Sequence, residues 1–554
     1  MPVRPATADL SPLNCDNGTV SNGRTALLDE LLGRDGRLVV VSNRGPLTFE
    51  HDDESPYGLT ARRGTGGLVT ALAELGRHAP LTWVAATMTD ADREVAPFLA
   101  PGFPGGEAAH VRSLVDDALP SQDLQLRYVD LPPDIFERHY RILSNPFLWF
   151  VQHQMYDPAY APNVDDALMD AWRGGYRPAN TLLAEAAAAG APWDRPVVLL
   201  QDYHLYLAAP RLRELRPDAT ILHFNHIPWP PAAQWQFLPQ ALRRAICEGL
   251  LACDIVGFQT DRYAAHFLDT VASFVRDARV DRDGRNVVWR DRRIRVRSYP
   301  ISVDPEGLLR FARSDAVQQR IDRLRDRLER AGKPRVIARA DRIEPSKNAL
   351  RGFLAFEALL ERHPDLRQRL RFVAVQAPTR TQIPEYARYA AAVREVVHRI
   401  NGMAEPDDQP IWIYDGSDYA MAIAALRMAD VVLVNPILDG MNLVAKEAVL
   451  VGERDPVLIL SETAGAAEQL AADSISIAPA DIVGTVGALE RGLEMPTELR
   501  RTHLRNLRAS VRHEDLHWWL LRQLRDLAAI RVGQMPPSRR LRDTVRRVEA
   551  EQPV

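Results

Sequence analysis

Short apolar runs recur along the chain, each closing on a polar or charged cluster, and stretches of helical period lie between them. Leu38-Val39-Val40-Val41, Val197-Val198-Leu199-Leu200, Thr220-Ile221-Leu222, Val336-Ile337-Ala338, Phe372-Val373-Ala374-Val375, Val431-Val432-Leu433-Val434 and Val457-Leu458-Ile459-Leu460 are of this kind. Continuous runs rather than alternation predict strands buried on both faces, the signature of parallel sheets covered by helices. Strand and helix alternate through most of the chain. The pattern predicts an α/β protein built as two parallel-sheet domains facing each other across a cleft. A boundary falls near residue 302, followed by a charge-rich helix over 316–331 that introduces the second unit. The expected layout is a flexible leader over 1–34 with one short amphipathic piece at Arg24–Leu32, a first domain over 35–301 and a second over 302–505. A helix over 506–530 and an Arg-rich tail over 531–554 follow.

Parallel strands place their carboxyl ends on one edge, where open α/β sheets bind ligands. The stretch Asp439-Gly440-Met441-Asn442-Leu443-Val444-Ala445-Lys446-Glu447 follows one such strand and runs into a helix. Backbone N–H groups of Met441 to Val444 then lie at a helix N-terminus, which favours a phosphate or a sugar hydroxyl. Asp439 and Glu447 are eight residues apart, so one is on the loop and the other about two turns into the helix. A βα loop with an ordinary helical acid has the same spacing; the rest of the chain tips the balance.

Arg44 stands at the end of the first strand, placed to grip a phosphate through a charge-assisted fork. Gly66 and Gly67, in Arg63-Gly64-Thr65-Gly66-Gly67-Leu68, open an amphipathic helix and permit close backbone approach, but the full GxGxxG dinucleotide fingerprint is absent. Trp83 suits stacking on a sugar or burial in a core, and Tyr140 and Trp149 flank a Pro146 break in an aromatic-rich segment. Asp202 and His226 sit at two further strand ends, where an acid orients a hydroxyl and an imidazole donates to a sugar oxygen. Arg342 and Lys347, five residues apart, would neutralise charge on a departing diphosphate if they face the 439–447 loop.

Composition narrows the classes. With 69 Lys+Arg against 73 Asp+Glu, the net charge of −4 gives no global nucleic-acid footprint. Cys15, Cys247 and Cys253 form neither a disulfide framework nor a zinc spacing, and a reduced, cytoplasmic setting is the expectation. No apolar run reaches the roughly 20 residues that span a bilayer, and the N-terminus lacks the form of a signal peptide.

Taken in order, Ser42-Asn43-Arg44, Arg63 to Leu68, the Tyr140 to Trp149 segment, Asp202-Tyr203-His204, His226-Ile227-Pro228, Arg342 to Lys347, Arg399-Ile400-Asn401-Gly402 and Asp439 to Glu447 resemble the trehalose-6-phosphate synthases of glycosyltransferase family 20. The resemblance runs from about residue 37 to about 527. It implies a GT-B fold of two Rossmann-like domains, with a last helix, Glu514 to Leu527, returning to the first domain on Trp518 and Trp519. For the donor it implies Arg342 and Lys347 on the diphosphate, with Gly66, Gly67 and the Gly440, Met441, Asn442, Leu443 and Val444 loop. Asp439 and His226 would hold the transferred glucose, and Glu447 the ribose. For the acceptor, glucose 6-phosphate, it implies Arg44, Tyr140 and Arg399 on the phosphate and Trp83, Trp149 and Asp202 on the sugar. The catalytic set is then His226, Arg342, Lys347, Asp439 and Asp202, acting without cofactor or metal by front-face transfer with retention. UDP-glucose or GDP-glucose is the expected co-substrate, no nucleic acid or membrane is expected as partner, and a homo-oligomer is compatible.

One departure stands out: Glu344-Pro345 where many members carry Asp-Tyr, a form shared with actinobacterial pseudoglycosyltransferases that couple a cyclitol nucleotide to an aminocyclitol phosphate. That reaction is the alternative, together with a non-catalytic regulatory homologue. The Arg-rich residues 531–554 are too few for a fused phosphatase domain, and the missing fingerprint speaks against an NAD-dependent oxidoreductase.

Overall fold

The computed structural model describes residues 36–534 apart from 56–57, 65–68, 70–71, 73–75, 77–78, 101, 120–122, 158, 160 and 403, together with residues 27–28 and 31–33. Gly66, Gly67 and the tail beyond 534 lie outside the described residues, so their expected roles have no structural counterpart here.

Two parallel sheets organise the chain. The first carries β1 (Leu38–Arg44), β4 (Leu81–Ala86), β5 (Leu124–Val129), β6 (Val197–Gln201), β7 (Thr220–Asn225), β8 (Ile255–Phe258), β9 (Arg279–Asp281), β10 (Asn286–Trp289) and β11 (Arg292–Ser298). Their order is β5-β4-β1-β6-β7-β8-β11-β10-β9, parallel as far as β11 and antiparallel beyond it. A hairpin of β2 (Leu47–His51) and β3 (Leu59–Arg63) stands apart. The second sheet, β12 (Arg335–Arg342), β13 (Leu370–Ala377), β14 (Ile411–Asp415), β15 (Val431–Val434), β16 (Val457–Ser461) and β17 (Ile475–Ile477), is parallel throughout, in the order β14-β13-β12-β15-β16-β17. β4, β6, β7, β8, β15 and β16 are buried at every position, as the continuous apolar runs require.

In each sheet the chain fills one side of the first strand and then crosses to the other, so β1 and β6, and likewise β12 and β15, flank a topological switch point. Loops diverge there and leave a crevice at the strands' carboxyl ends. The crevice of the first sheet is bordered by Arg44 and Asp202, that of the second by the Arg342–Lys347 loop and Asp439.

The chain ends on the domain it started from. The helix Leu516–Gln534 buries Trp519, whose Nε1 donates to the Tyr299 carbonyl at 3.1 Å, and Asp526 accepts the Tyr299 hydroxyl at 2.6 Å. Trp518, expected as a second anchor, is half-buried with Arg522 over its ring. Arg531 donates to the carbonyls of Leu31 and Arg195. Leu27, Leu28 and Leu31 are themselves buried among core residues of β1, β4 and β5. This corrects the flexible leader over its last part: three leucines on one side of a helical turn have enough apolar surface to dock. The Pro146 break is also absent, because Glu137–Leu148 winds as a wide π-helix through Pro146 and continues into Trp149–His153.

Candidate active site

The second sheet's crevice is built on charge. After β12 the chain turns through Glu344 and Ser346 to Lys347, whose Nζ lies 2.5 Å from Asp439 Oδ2. Asp439 also accepts Asn442 Nδ2 at 3.0 Å, and Asn442, held at φ 78°, caps the helix Leu443–Val451 through Ala445 N–H. The cap leaves N–H groups of the first turn aimed at the crevice. Arg342 is about half exposed and reaches Glu344 Oε1 at 3.2 Å, where Ser346 Oγ donates at 2.9 Å. Burial pushes Glu344 up, but Arg342, Lys347 and Arg380 together outweigh it and hold the carboxyl at about 2. Beneath them the buried Arg339 ties the turn together through Asp341 and the Lys347 carbonyl. Because the helix starts only at Leu443, Glu447 is about one turn into it rather than the expected two; it accepts the Tyr419 hydroxyl at 2.9 Å, and burial raises its pKa. Asp439, Arg342, Lys347, Leu443, Val444 and Glu447 thus share one end of the cleft.

The first domain meets this loop directly. A methyl group on Gly440 would stand 1.9 Å from the His226 carbonyl oxygen, so only glycine allows the approach. Tyr263 OH adds a 2.9 Å bond to the Asp439 carbonyl. His226 is neutral, because burial first and His223 second depress its pKa to about 3. Both ring nitrogens face glutamine amides: Nε2 lies 2.9 Å from Gln201 Oε1, and Nδ1 lies 3.4 Å from Gln259 Nε2. The expected free donor is therefore a ring clamped by two amides. Asp202 sits at φ 72°, an unfavourable conformation that costs about 1–3 kcal/mol, and its Oδ1 accepts the His226 N–H at 3.1 Å. Burial raises its pKa to about 6 despite those backbone bonds.

A second set of aromatic and cationic groups converges beside this one, near enough to Glu344 for their charges to interact. Tyr140 lies against His204 at 5.9 Å, and Arg44 is exposed at the end of β1, close enough for its charge to act on His204. Trp149 is buried, stacked on His153 at 3.9 Å with Arg380 5.3 Å above its ring. Arg380 arrives from the second domain, just past the end of β13. It donates to Tyr386 OH at 2.7 Å and reaches Tyr203 OH of the first domain at 3.4 Å. Burial disfavours its charge, yet neighbouring phenols and Glu344 keep it firmly protonated.

Two expected acceptor residues are elsewhere. Trp83 is fully buried in β4, its Nε1 donating to Ser42 Oγ at 2.7 Å, so it is a core tryptophan. Arg399 is exposed and bonded through two nitrogens to Glu357 at 2.8 and 2.6 Å. It lies thirteen residues beyond Tyr386 on the helix Pro384–Asn401, about 20 Å along the axis from the aromatic cluster. Sequence reasoning missed Arg380, although the strand-end rule that selected Arg44 and Arg342 reaches it too. Glu344, Gln201 and Gln259 carried no motif signal of their own. Among the described residues, no group of three or more His, Cys, Asp or Glu side chains is placed to hold a metal ion, and no helix is long and apolar enough to cross a membrane.

Two Rossmann-like domains with a cation-lined crevice at each switch point, meeting across one cleft, define a GT-B glycosyltransferase. The profile of glycosyltransferase family 20 matches residues 36–529, and the chain belongs to that family. It is 31% identical over 494 residues to the validamine 7-phosphate valienyltransferase of Streptomyces hygroscopicus subsp. jinggangensis, covering 89% of this chain and 94% of that one. It is 31% identical over 524 residues to the UDP-forming alpha,alpha-trehalose-phosphate synthase of Schizosaccharomyces pombe, covering 93% and 95%. Among solved structures, the UDP-forming alpha,alpha-trehalose-phosphate synthase of Burkholderia xenovorans in complex with glucose 6-phosphate superposes with a TM-score of 0.71 at 26% identity, covering 89% of this chain and all of that one. The chain is accordingly a transferase.

Proposed function

We propose that the protein transfers glucose, with retention, from a nucleoside-diphosphate glucose to glucose 6-phosphate, forming α,α-trehalose 6-phosphate. The observation that carries this reading is a pair of cationic groups in one cleft, both facing Glu344: Arg342, Lys347 and a helix N-terminus in one, Arg380 with Arg44 beyond it in the other. The first suits a donor diphosphate and the second an acceptor phosphate; Asp439 belongs to the first group, and His226 and Asp202 adjoin its loop from the first domain. The names of the fission-yeast relative and of the Burkholderia structure point the same way.

In this reading the acceptor hydroxyl oxygen bonds to the anomeric carbon on the face from which the diphosphate oxygen departs. The hydroxyl proton passes to the leaving phosphate. Arg342, Lys347 and the first-turn amides stabilise the negative charge growing there, and fixed donors do so without reorganising. Lys347 is paired with Asp439 before substrate arrives, so an incoming diphosphate shares that cation and Asp439 is freed toward sugar hydroxyls. Catalysis by these groups needs no cofactor or metal. We assign Glu447, which here accepts the Tyr419 hydroxyl, to the ribose of a UDP or GDP donor.

The similarity to a valienyltransferase, and the Glu344-Pro345 variation, favour one second reading: the same phosphate clamps holding a cyclitol nucleotide and an aminocyclitol phosphate. Incubating glucose 6-phosphate with UDP-, GDP- and ADP-glucose separately, and following released nucleotide together with the anomeric NMR signals of the product, tests the first reading. Formation of α,α-trehalose 6-phosphate supports it. No turnover by folded protein, with turnover of validamine 7-phosphate and a valienyl nucleotide, replaces it by the second.

A further inference from the structure

The helix Thr497–His513 carries a row of arginines on one face. Arg501, Arg505, Arg508 and Arg512, spaced four, three and four residues apart, line one cavity of about 500 Å³ with Leu504, Ala509 and Asp455. Four guanidinium groups thus share one recess with one carboxylate, and that carboxylate is taken by Arg501 Nε at 3.2 Å. Arg505 and Arg512 have no acidic partner among the described residues. Like charges at this helical spacing repel. Arg508 is half-buried, and burial together with its neighbour Arg512 lowers its pKa. Guanidinium groups gathered in one recess are complementary to an anion.

We propose that this recess is a second anion-binding site, taking a small molecule with two or more negative charges on phosphate groups. Its volume matches a compact phosphorylated metabolite rather than a polymer: ligand pockets run from roughly 300 to 1,000 Å³. The planar, forked guanidinium is the side chain best shaped for phosphate oxygens. Asp455 adds discrimination, because it repels anions held off the arginine stripe.

The site also touches the donor end of the cleft. Arg508 Nε donates to the Val449 carbonyl at 2.8 Å and Nη2 to the Gly452 carbonyl, so it holds the carboxyl end of the helix Leu443–Val451. The opposite end of that helix presents the Leu443 and Val444 amides, about 12 Å away. An anion drawing on the remaining Arg508 donors is therefore one short helix from the diphosphate loop.

The test uses the full chain and inorganic pyrophosphate, titrated calorimetrically at low ionic strength into wild type, Arg505→Ala/Arg512→Ala and Arg342→Ala/Lys347→Ala. The first double variant removes two side chains without ion pairs and should keep the wild-type melting temperature. The proposal expects a pyrophosphate site that survives Arg342→Ala/Lys347→Ala and is weakened at least tenfold by Arg505→Ala/Arg512→Ala. Identical titrations of wild type and Arg505→Ala/Arg512→Ala would overturn it, as would binding confined to concentrations above about 10 mM. A parallel titration with a hexose bisphosphate distinguishes a sugar phosphate from inorganic diphosphate as the preferred form. The result is independent of which sugar the cleft transfers.

Discussion

Replacing Arg380 by alanine should cripple use of a phosphorylated acceptor, whereas Arg399→Ala should leave it untouched. Arg380 spends one N–H on Tyr386 and one, more loosely, on Tyr203, beside the Trp149 and Tyr386 rings, which leaves three of its five donors for a phosphate. Two charge-assisted bonds to phosphate oxygens at about 1.5–3 kcal/mol each give about 3–6 kcal/mol, or about 10²–10⁴ in kcat/KM. Because the phosphate is far from the reacting bond, most of that loss should appear in the acceptor KM. The decisive assay is a cycle of two enzymes and two acceptors. Wild type should prefer glucose 6-phosphate to glucose by about 10²-fold or more, and Arg380→Ala should be slow on both with little preference left. Arg399→Ala, which removes only a solvent-screened surface pair with Glu357, should give wild-type rates and a melting temperature close to wild type. Should Arg380→Ala keep its acceptor KM within threefold while Arg399→Ala raises it, the placement of the acceptor phosphate argued here is wrong.

Three further outcomes follow from buried or crowded groups. Asp202, raised from 3.8 to about 6 mainly by burial, binds its proton more tightly in the folded protein. The stability it adds is full below about pH 4 and is lost as pH rises through 6; of that, about 2 kcal/mol falls between pH 4.5 and 7, and Asp202→Asn should abolish this difference in urea titrations at those two pH values. Lys446 is fully buried with Nζ on the Ile301 carbonyl at 3.0 Å, and burial pushes it from 10.5 down to about 7. The unfolded chain then binds the extra proton between pH 7 and 10.5, so stability rises with pH across that window by up to about 5 kcal/mol, and calorimetry on Lys446→Met should show the slope flattened. Gly440→Ala forces a methyl group against the His226 carbonyl, and moving the loop by about 1 Å should cost about 10²-fold in kcat/KM; full activity in this variant would mean that the domains do not meet there during turnover.

What could be read from the sequence was the part governed by local pattern. Runs such as Val431–Val434 announce a doubly covered strand, and polar clusters after them announce a sheet edge, so Arg44, Asp202, His226, the Arg342–Lys347 turn and Asp439 were found by position alone. Partnerships across the fold were not. Nothing near His226 in the chain signals that Gln259, 33 residues on, faces its ring, nor that Arg380 from the other domain crosses to Tyr203. Trp83 and Arg399 misled for a related reason: their acceptor roles came from the family resemblance, which carries a residue's identity but not its facing. In β4 every position is buried, which leaves Trp83 no open side, and Arg399 sits at the distal end of a helix whose near end serves the cleft. The leader was misjudged because composition averages over a segment, while three well-spaced leucines suffice to anchor one helical turn.

The return of the last helix sets the order in which this protein can be made. Tyr299, Leu31 and Arg195 all lie before the domain boundary near residue 302, and their partners Trp519, Asp526 and Arg531 lie more than 200 residues beyond it. At about 5–20 residues per second, the ribosome needs on the order of 10–50 s to travel from the end of the first sheet to that helix. Throughout that interval the nascent first domain exposes the apolar floor on which Trp519, Leu520, Leu524 and Leu527 later settle. The molecule is closed like a belt, fastened last at the place where it began.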